Sequence, residues 1–283
     1  MLDAEAGLRL RGGTARAPGA GVTGPAAGGD AQEAGGDAPE AGGVQVPGRI
    51  AAFFDVDRTV VRGWSMLALA GPLRQTGLLS RRVTVAAALR GRQFSARGFS
   101  ERDVRRAVLA VSALVRGMDA QALRRAAEEA IPRVLAPRVF DEARSLMAWH
   151  RRHGHLVFLV SASTHELIDG LGRLLDADGV VASEAEIVDG HYTGSVALCH
   201  GLAKARALRR LAVGHGIDLR DSYAYGDGIG DLPMLSLVGH PVAVNPDRRL
   251  RAVVRSRGWK EWHFHRVAGG RAGSARVMDR DVE

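Results

Sequence analysis

Asp55 and Asp57 stand two residues apart at the end of the apolar run Arg49-Ile50-Ala51-Ala52-Phe53-Phe54. On an extended chain that spacing points both carboxylates to one side. Two negative charges held together are unfavourable unless a cation or a substrate neutralises them. The same residues also suit a strand running into an Asx-type turn. A second polar tip, Ser161-Ala162-Ser163, ends the run Phe158-Leu159-Val160 and opens a helical stretch. A hydroxyl beside a helix N-terminus holds phosphate oxygens well, and it is equally the pattern of a simple N-cap. Lys204 begins another helical stretch at Gly201-Leu202-Ala203-Lys204. Of 39 basic residues two are lysine, Lys204 and Lys260, so a lysine here suggests a need for a compact point charge; an exposed helix lysine is the alternative. Asp227 and Asp231 lie in Tyr225-Gly226-Asp227-Gly228-Ile229-Gly230-Asp231. Glycines let the backbone come close to a ligand, and carboxylates gathered at strand tips suit Mg²⁺. A glycine-rich turn with no ligand fits the same residues.

Something must bring these tips together. The runs at His155–Val160, Ser222–Tyr225 and Pro241–Val244 read as short buried strands that each end on a polar residue. Helical stretches follow at His165–Leu175 and Leu202–His215, and Val188–Gly194 reads as a tight β-hairpin. Strand, polar tip and helix in alternation predict an α/β fold: a doubly wound parallel sheet, with ligands bound beyond the C-terminal ends of its strands. Residues 64–149 carry no strand pattern; Val104, Val108, Val111 and Val115 recur at helical spacing, and Gly91, Gly98 and Gly117 mark breaks. They are expected to form an inserted α-helical cap, leaving 48–63 and 150–265 as the core. The Gly/Ala/Pro-rich residues 1–47 and the segment 266–283 are expected to be disordered tails.

Composition narrows the classes. Hydrophobic residues at 46% and charged residues at 25% fit a soluble globular chain, not a fibrous or wholly disordered one. A single cysteine, Cys199, excludes an intramolecular disulfide and argues against a cysteine-built zinc site. No apolar run approaches the roughly 18 residues of a membrane span, and the N-terminus lacks the apolar centre of a signal peptide. A cytoplasmic protein without a transmembrane segment is expected. The net charge of +8 equals that of the cap segment, with fifteen arginines against seven acidic residues.

Taken in this order, DxDxT, strand-tip Ser, Lys and GDxxxD resemble the haloacid dehalogenase superfamily, in its phosphoserine-phosphatase-like branch (subfamily IB), over residues 48–265. The turn Val244-Asn245-Pro246-Asp247 and the later Arg257-Gly258-Trp259 look like that branch too. The resemblance implies a Mg²⁺-dependent phosphatase acting on a small phosphomonoester. Asp55 would be the nucleophile, forming an aspartyl-phosphate, and Asp57 the general acid and then base. Thr59, Ser161 and Ala162 would bind the substrate's phosphoryl group, and Lys204 would neutralise its charge. Asp55, Asp227 and the backbone carbonyl of Asp57 would hold Mg²⁺, with Asp231 behind them orienting its waters or Lys204.

Three residues depart from that family. Arg58 stands where a small residue is common, and Gly230 where Asn is frequent. Trp64 replaces the glutamate with which phosphoserine phosphatases read the substrate's ammonium. A ring offers cation–π contact in place of an ion pair, so phosphoserine is not the expected substrate. The basic cap suggests an anionic substrate body such as a nucleotide, sugar phosphate or phospholipid headgroup; codon bias writing a solvated surface in arginine accounts for it as well. A phosphotransferase using the same intermediate, and a regulatory protein binding an anionic partner through its cap, are the competing functions. Nucleic acid is not an expected partner, and oligomeric state is not legible. The histidines of Trp149–His155 read as a basic helix end, those of Trp262-His263-Phe264-His265 as surface groups, and Cys199 as structural.

Overall fold

The computed structural model describes residues 7–10, 48–80, 85, 106, 109–110, 112–113 and 115–265. Its sheet contains β1 (Gly7–Leu10), β2 (Ala51–Asp55), β3 (Leu156–Thr164), β4 (Gly179–Val188), β5 (His191–Ala197), β6 (Tyr223–Gly226), β7 (His240–Val244) and β8 (Lys260–Trp262). The order is β1-β4-β3-β2-β6-β7-β8, with β5 paired to β4. The strands from β4 through β8 run parallel, whereas β1 and β5 lie antiparallel to β4. Strand order reverses around β2, and the crevice at such a reversal is where doubly wound sheets bind ligands.

The helices are α1 (Ser65–Gln75), α2 (Ala120–Val134), α3 (Asp141–Arg152), α4 (His165–Leu174), α5 (Leu202–His215), the single turn α6 (Leu232–Leu235) and α7 (Arg248–Arg257). They cover both faces of the sheet. Ala52 and Phe54 of β2 pack in one apolar cluster with residues of α1 to α4, while Ala51 and Phe53 pack in the other with residues of α5 to α7. Strand periodicity then puts Asp55 on the side of Ala51 and Phe53, facing α5. That parity aims the first carboxylate at Lys204.

Four boundaries differ from the sequence expectation. Within the stretch expected as a tail, Gly7–Leu10 pairs with β4 from Gly7 opposite Ala182 to Leu10 opposite Gly179, and Arg9 bonds Asp169 at 2.9 Å. β3 continues past Val160 to Thr164 through an irregular register. β8 adds a three-residue edge beyond β7. Helix α3 crosses the expected cap boundary at 149, and its buried Ala143, Leu146, Met147 and His150 seat it on the sheet. Gly91, Gly98, Val104, Val108, Val111 and the segment 266–283 lie outside the described residues. No helix among the described residues is long and apolar enough to cross a membrane.

The expected hairpin is present, β4 and β5 being joined by Asp189-Gly190 with φ of +50° and +78°. Gly117 and Ala120 donate to Tyr192 and Gly190 carbonyls at 2.8 and 2.9 Å, and Tyr192 donates to the Met118 carbonyl at 3.0 Å. The hairpin is thereby stitched to the segment that leads into α2.

His150 of α3 has no exposed surface, its Nε2 at 2.9 Å from the Tyr225 hydroxyl and its Nδ1 at 2.9 Å from His155 Nδ1. Burial, then the neighbouring His155 and His153, lowers its pKa from 6.5 to about 3. The unfolded chain therefore binds a proton between those values that the folded chain refuses. The contribution of His150 is complete above pH 6.5 and declines as pH falls towards 3. Between pH 7 and pH 5 it amounts to about 2 kcal/mol. Thermal unfolding of wild type and His150→Gln at both values should show a shallower acid loss in the variant; equal losses would remove His150 as the cause.

Candidate active site

The tip of β2 and the loop after β6 converge on the first turn of α5. There Lys204, 2% exposed, places Nζ at 2.5 Å from Asp55 Oδ1 and 2.7 Å from Asp231 Oδ1. The other oxygen of Asp231 accepts from the backbone N–H groups of Asp227 and Gly228, both at 3.2 Å. One carboxylate thus anchors both the lysine and the glycine-rich loop. Asp55, Asp227 and Asp231 are all buried, and each offers an oxygen within 4.8 Å of the others.

Two of the three glycines in this loop, Gly226 and Gly230, leave space that other side chains fill. A Cβ at Gly226 would lie 2.6 Å from Cβ of Asp231, and one at Gly230 would lie 2.3 Å from Cε1 of His200. The His200 ring therefore occupies the space that a side chain at Gly230 would need. Gly226→Ala should push Asp231 off Lys204, destabilising the fold by roughly 1–3 kcal/mol and lowering turnover at least about tenfold. Chemical denaturation with a turnover assay checks both, and an unperturbed variant would mean that the loop relaxes freely.

Asp57 is turned another way. Its Oδ1 accepts the backbone N–H of Ser65 at 2.7 Å. Ser65 is the first residue of α1, so this N–H has no partner within the helix. Ser65 Oγ lies 3.3 Å from Ser163 Oγ, and the Ser163 N–H donates to Ser161 Oγ at 3.1 Å. Neither serine caps α4, whose N-cap is Thr164. The Ala162 carbonyl accepts from Ser183 Oγ at 2.7 Å. Thr59 Oγ1 is buried without a hydrogen-bond partner. Sequence reasoning missed Ser65; its position at the start of a helix eight residues after Asp57 is the signal that could have found it.

Arg58 and the turn after β7 close the other flank. Arg58 Nε lies 3.1 Å from Asp227 Oδ2. Asn245 donates through Nδ2 to the Arg58 carbonyl at 3.4 Å and accepts the Phe264 N–H at 3.0 Å. Asp247 accepts from Ile229 N at 3.2 Å and caps α7 through Leu250 N at 2.8 Å. Trp64, half-buried, occupies the N-cap of α1. Cys199 is buried, and burial pushes its thiol up to about 12, which suits the structural role expected of it.

Electrostatically the centre carries too much negative charge. Burial first, then Asp231, pushes Asp55 up to about 7 against the opposing pull of Lys204. Burial and Asp55 hold Asp227 well above the carboxylate range despite Arg58. Asp57 is raised by burial against its bonds with Ser65. Burial favours a neutral amine at Lys204, but Asp231 and Asp55 outweigh it, so the lysine keeps its proton above the ordinary range. Buried acceptor oxygens that are unfavourable as anions are the donor set a hard divalent cation takes. The residues fit Mg²⁺. Asp55 and Asp227, both expected as ligands, lie in the cluster with Asp231, both of whose oxygens are engaged by Lys204 and the loop.

The chain is similar to known proteins. The chain is 40% identical over 220 residues to the "Inhibition of morphological differentiation protein" of Streptomyces azureus, covering 77% of this chain and 79% of that one. It is 39% identical to a "Probable phosphatase" of Mycobacterium tuberculosis, over 78% of this chain and 80% of the relative. It is 36% identical to phosphoserine phosphatase SerB1 of the same organism, over 74% and 69%. Among solved structures, a protein of unknown function from Bordetella pertussis superposes with a TM-score of 0.65 at 26% identity, covering 76% of this chain and 99% of that one. A family model for haloacid dehalogenase-like hydrolases matches residues 52–236, from the strand before Asp55 to just past Asp231. The chain belongs to the haloacid dehalogenase-like hydrolases.

Proposed function

We propose that the protein is a Mg²⁺-dependent phosphatase that hydrolyses a small phosphomonoester through an aspartyl-phosphate on Asp55. The observation that carries this reading is the buried Asp55 carboxylate held by Lys204 beside Asp227 and Asp231. An oxygen of Asp55 attacks phosphorus and the ester P–O bond breaks; water then cleaves the acyl phosphate, regenerating the carboxylate. Asp57, whose proton burial helps retain, gives that proton to the leaving oxygen and takes one back from the attacking water. Lys204 balances charge on the phosphoryl oxygens, and Asp231 keeps Lys204 in place. The unpartnered Thr59 hydroxyl and the Ser161-Ala162 tip supply further contacts to those oxygens. Mg²⁺, held by Asp55, Asp227 and the Asp57 carbonyl, would supply Lewis-acid neutralisation of the phosphoryl group.

Relatives named phosphatase support the reaction type. Trp64 separates the substrate from phosphoserine, because no carboxylate stands at that position to pair with an ammonium. Phosphate release should be assayed with p-nitrophenyl phosphate and a phosphomonoester panel that includes phosphoserine, with Mg²⁺ and with chelator. Release that requires Mg²⁺ is expected, with phosphoserine turned over at least about tenfold more slowly than the best compound. No release from any compound would overturn the phosphatase reading; phosphoserine as the best substrate would overturn the role given to Trp64.

A further inference from the structure

Arg58 lies in the loop between Asp57 and Thr59 with a left-handed backbone, φ +67°. Residues other than glycine, asparagine and aspartate seldom take that conformation, so the surrounding contacts must impose it. Three do: the Arg58 N–H donates to the Val61 carbonyl at 2.7 Å and the Gly63 carbonyl at 3.1 Å, and its own carbonyl accepts from Asn245 at 3.4 Å. The loop so fixed turns the guanidinium inward, where Nε meets Asp227 Oδ2 at 3.1 Å. Lys204 engages Asp55 and Asp231. Asp227, in contrast, has Arg58 as its ion-pair partner.

We propose that Arg58 is a resident counter-ion of the metal centre: its guanidinium neutralises Asp227 before a metal binds, and a divalent cation must displace it to reach that carboxylate. This inference rests on the Mg²⁺ reading of the site. Arginine and metal compete because both need the same carboxylate, and a dication entering a few ångströms from a guanidinium is repelled by it. Displacement is feasible because the Arg58 side chain is 31% exposed and can swing its charge into water. The consequence is a centre of reduced Mg²⁺ affinity, loaded in proportion to the free cation.

Mg²⁺ titration by calorimetry of chelator-treated, folded protein tests this directly. Arg58→Asn tolerates the left-handed backbone and removes the charge, so it should bind Mg²⁺ about tenfold more tightly than wild type. Arg58→Gly, free of any constraint at that φ, should do the same, and Arg58→Lys should retain the weaker affinity. Asp227→Asn should abolish binding in either background. Unchanged or weakened affinity in both Arg58→Asn and Arg58→Gly would overturn the counter-ion role while leaving the metal site standing, provided wild type binds and Asp227→Asn does not. Absence of Mg²⁺ binding in wild type and in both arginine variants would overturn the metal reading and the inference together.

Discussion

Asp55→Asn should lower phosphate release by at least about a thousandfold while leaving the protein as stable as wild type or more so. The substitution keeps the shape of the side chain and an oxygen that can accept from Lys204, and it removes the nucleophilic charge. Stability should hold because the carboxylate is unfavourable where it stands. Burial and Asp231 raise Asp55 to about 7, so above the ordinary carboxylate range folding works against an ionised group. The sign follows from linkage: a carboxyl whose folded pKa is raised subtracts from stability as pH climbs above its unfolded value. Replacing it with a neutral amide removes that penalty, and Lys204 keeps Asp231 as its partner. Turnover of p-nitrophenyl phosphate and a thermal melt at neutral pH, read side by side, decide the matter. Surviving turnover would place the nucleophile elsewhere. Lost turnover accompanied by a collapsed melt would make Asp55 a structural residue.

Most of what positions these groups was legible as pattern. Phe53-Phe54 before Asp55, Leu159-Val160 before Ser161 and the run into Gly226 are buried strands, and such strands reveal themselves by uninterrupted apolar residues that stop at a polar tip. Lys204 stood out because this chain writes nearly every basic residue as arginine. What escaped depends on partners distant in the chain. Gly7–Leu10 is too short for any periodicity, and it is a strand because the edge of β4 offers unpaired backbone groups; the three residues of β8 join the edge of β7 in the same way. Ser161-Ala162-Ser163 read as a polar tip opening a helix, yet β3 continues through it and Thr164 pairs with Ser183. Gly226 looked like a place for a ligand, whereas its missing Cβ makes room for Asp231. The use of the Ser65 N–H by Asp57 and the reach of Arg58 to Asp227 follow from how one loop folds back on itself. No local rule of propensity encodes that.

Lys204→Met should have the largest combined effect, and its rescue separates structure from chemistry. Methionine reproduces the length and the apolar stem of the lysine but leaves Asp55 and Asp231 facing one another without their shared cation. Removing one member of a buried charge network typically destabilises by about 3–5 kcal/mol, since the remaining charges stay buried and uncompensated. Turnover should fall at least about a hundredfold, because no fixed positive charge is left on that flank of the phosphoryl group. Acid should partly restore the fold of the variant: protonating Asp55, already raised to about 7, relieves the repulsion, so the stability gap to wild type should narrow as pH falls from 7 towards 5. Adding Asp231→Asn removes the same repulsion by substitution. Lys204→Met/Asp231→Asn should regain much of the lost stability and none of the lost turnover, a non-additivity expected of residues in direct contact. Denaturant unfolding and phosphate release across wild type, both single variants and the double variant measure the two couplings separately. Strictly additive stability losses would show that Lys204 and Asp231 do not act as a unit, and recovered turnover in the double variant would show that the ammonium is not needed for the chemistry.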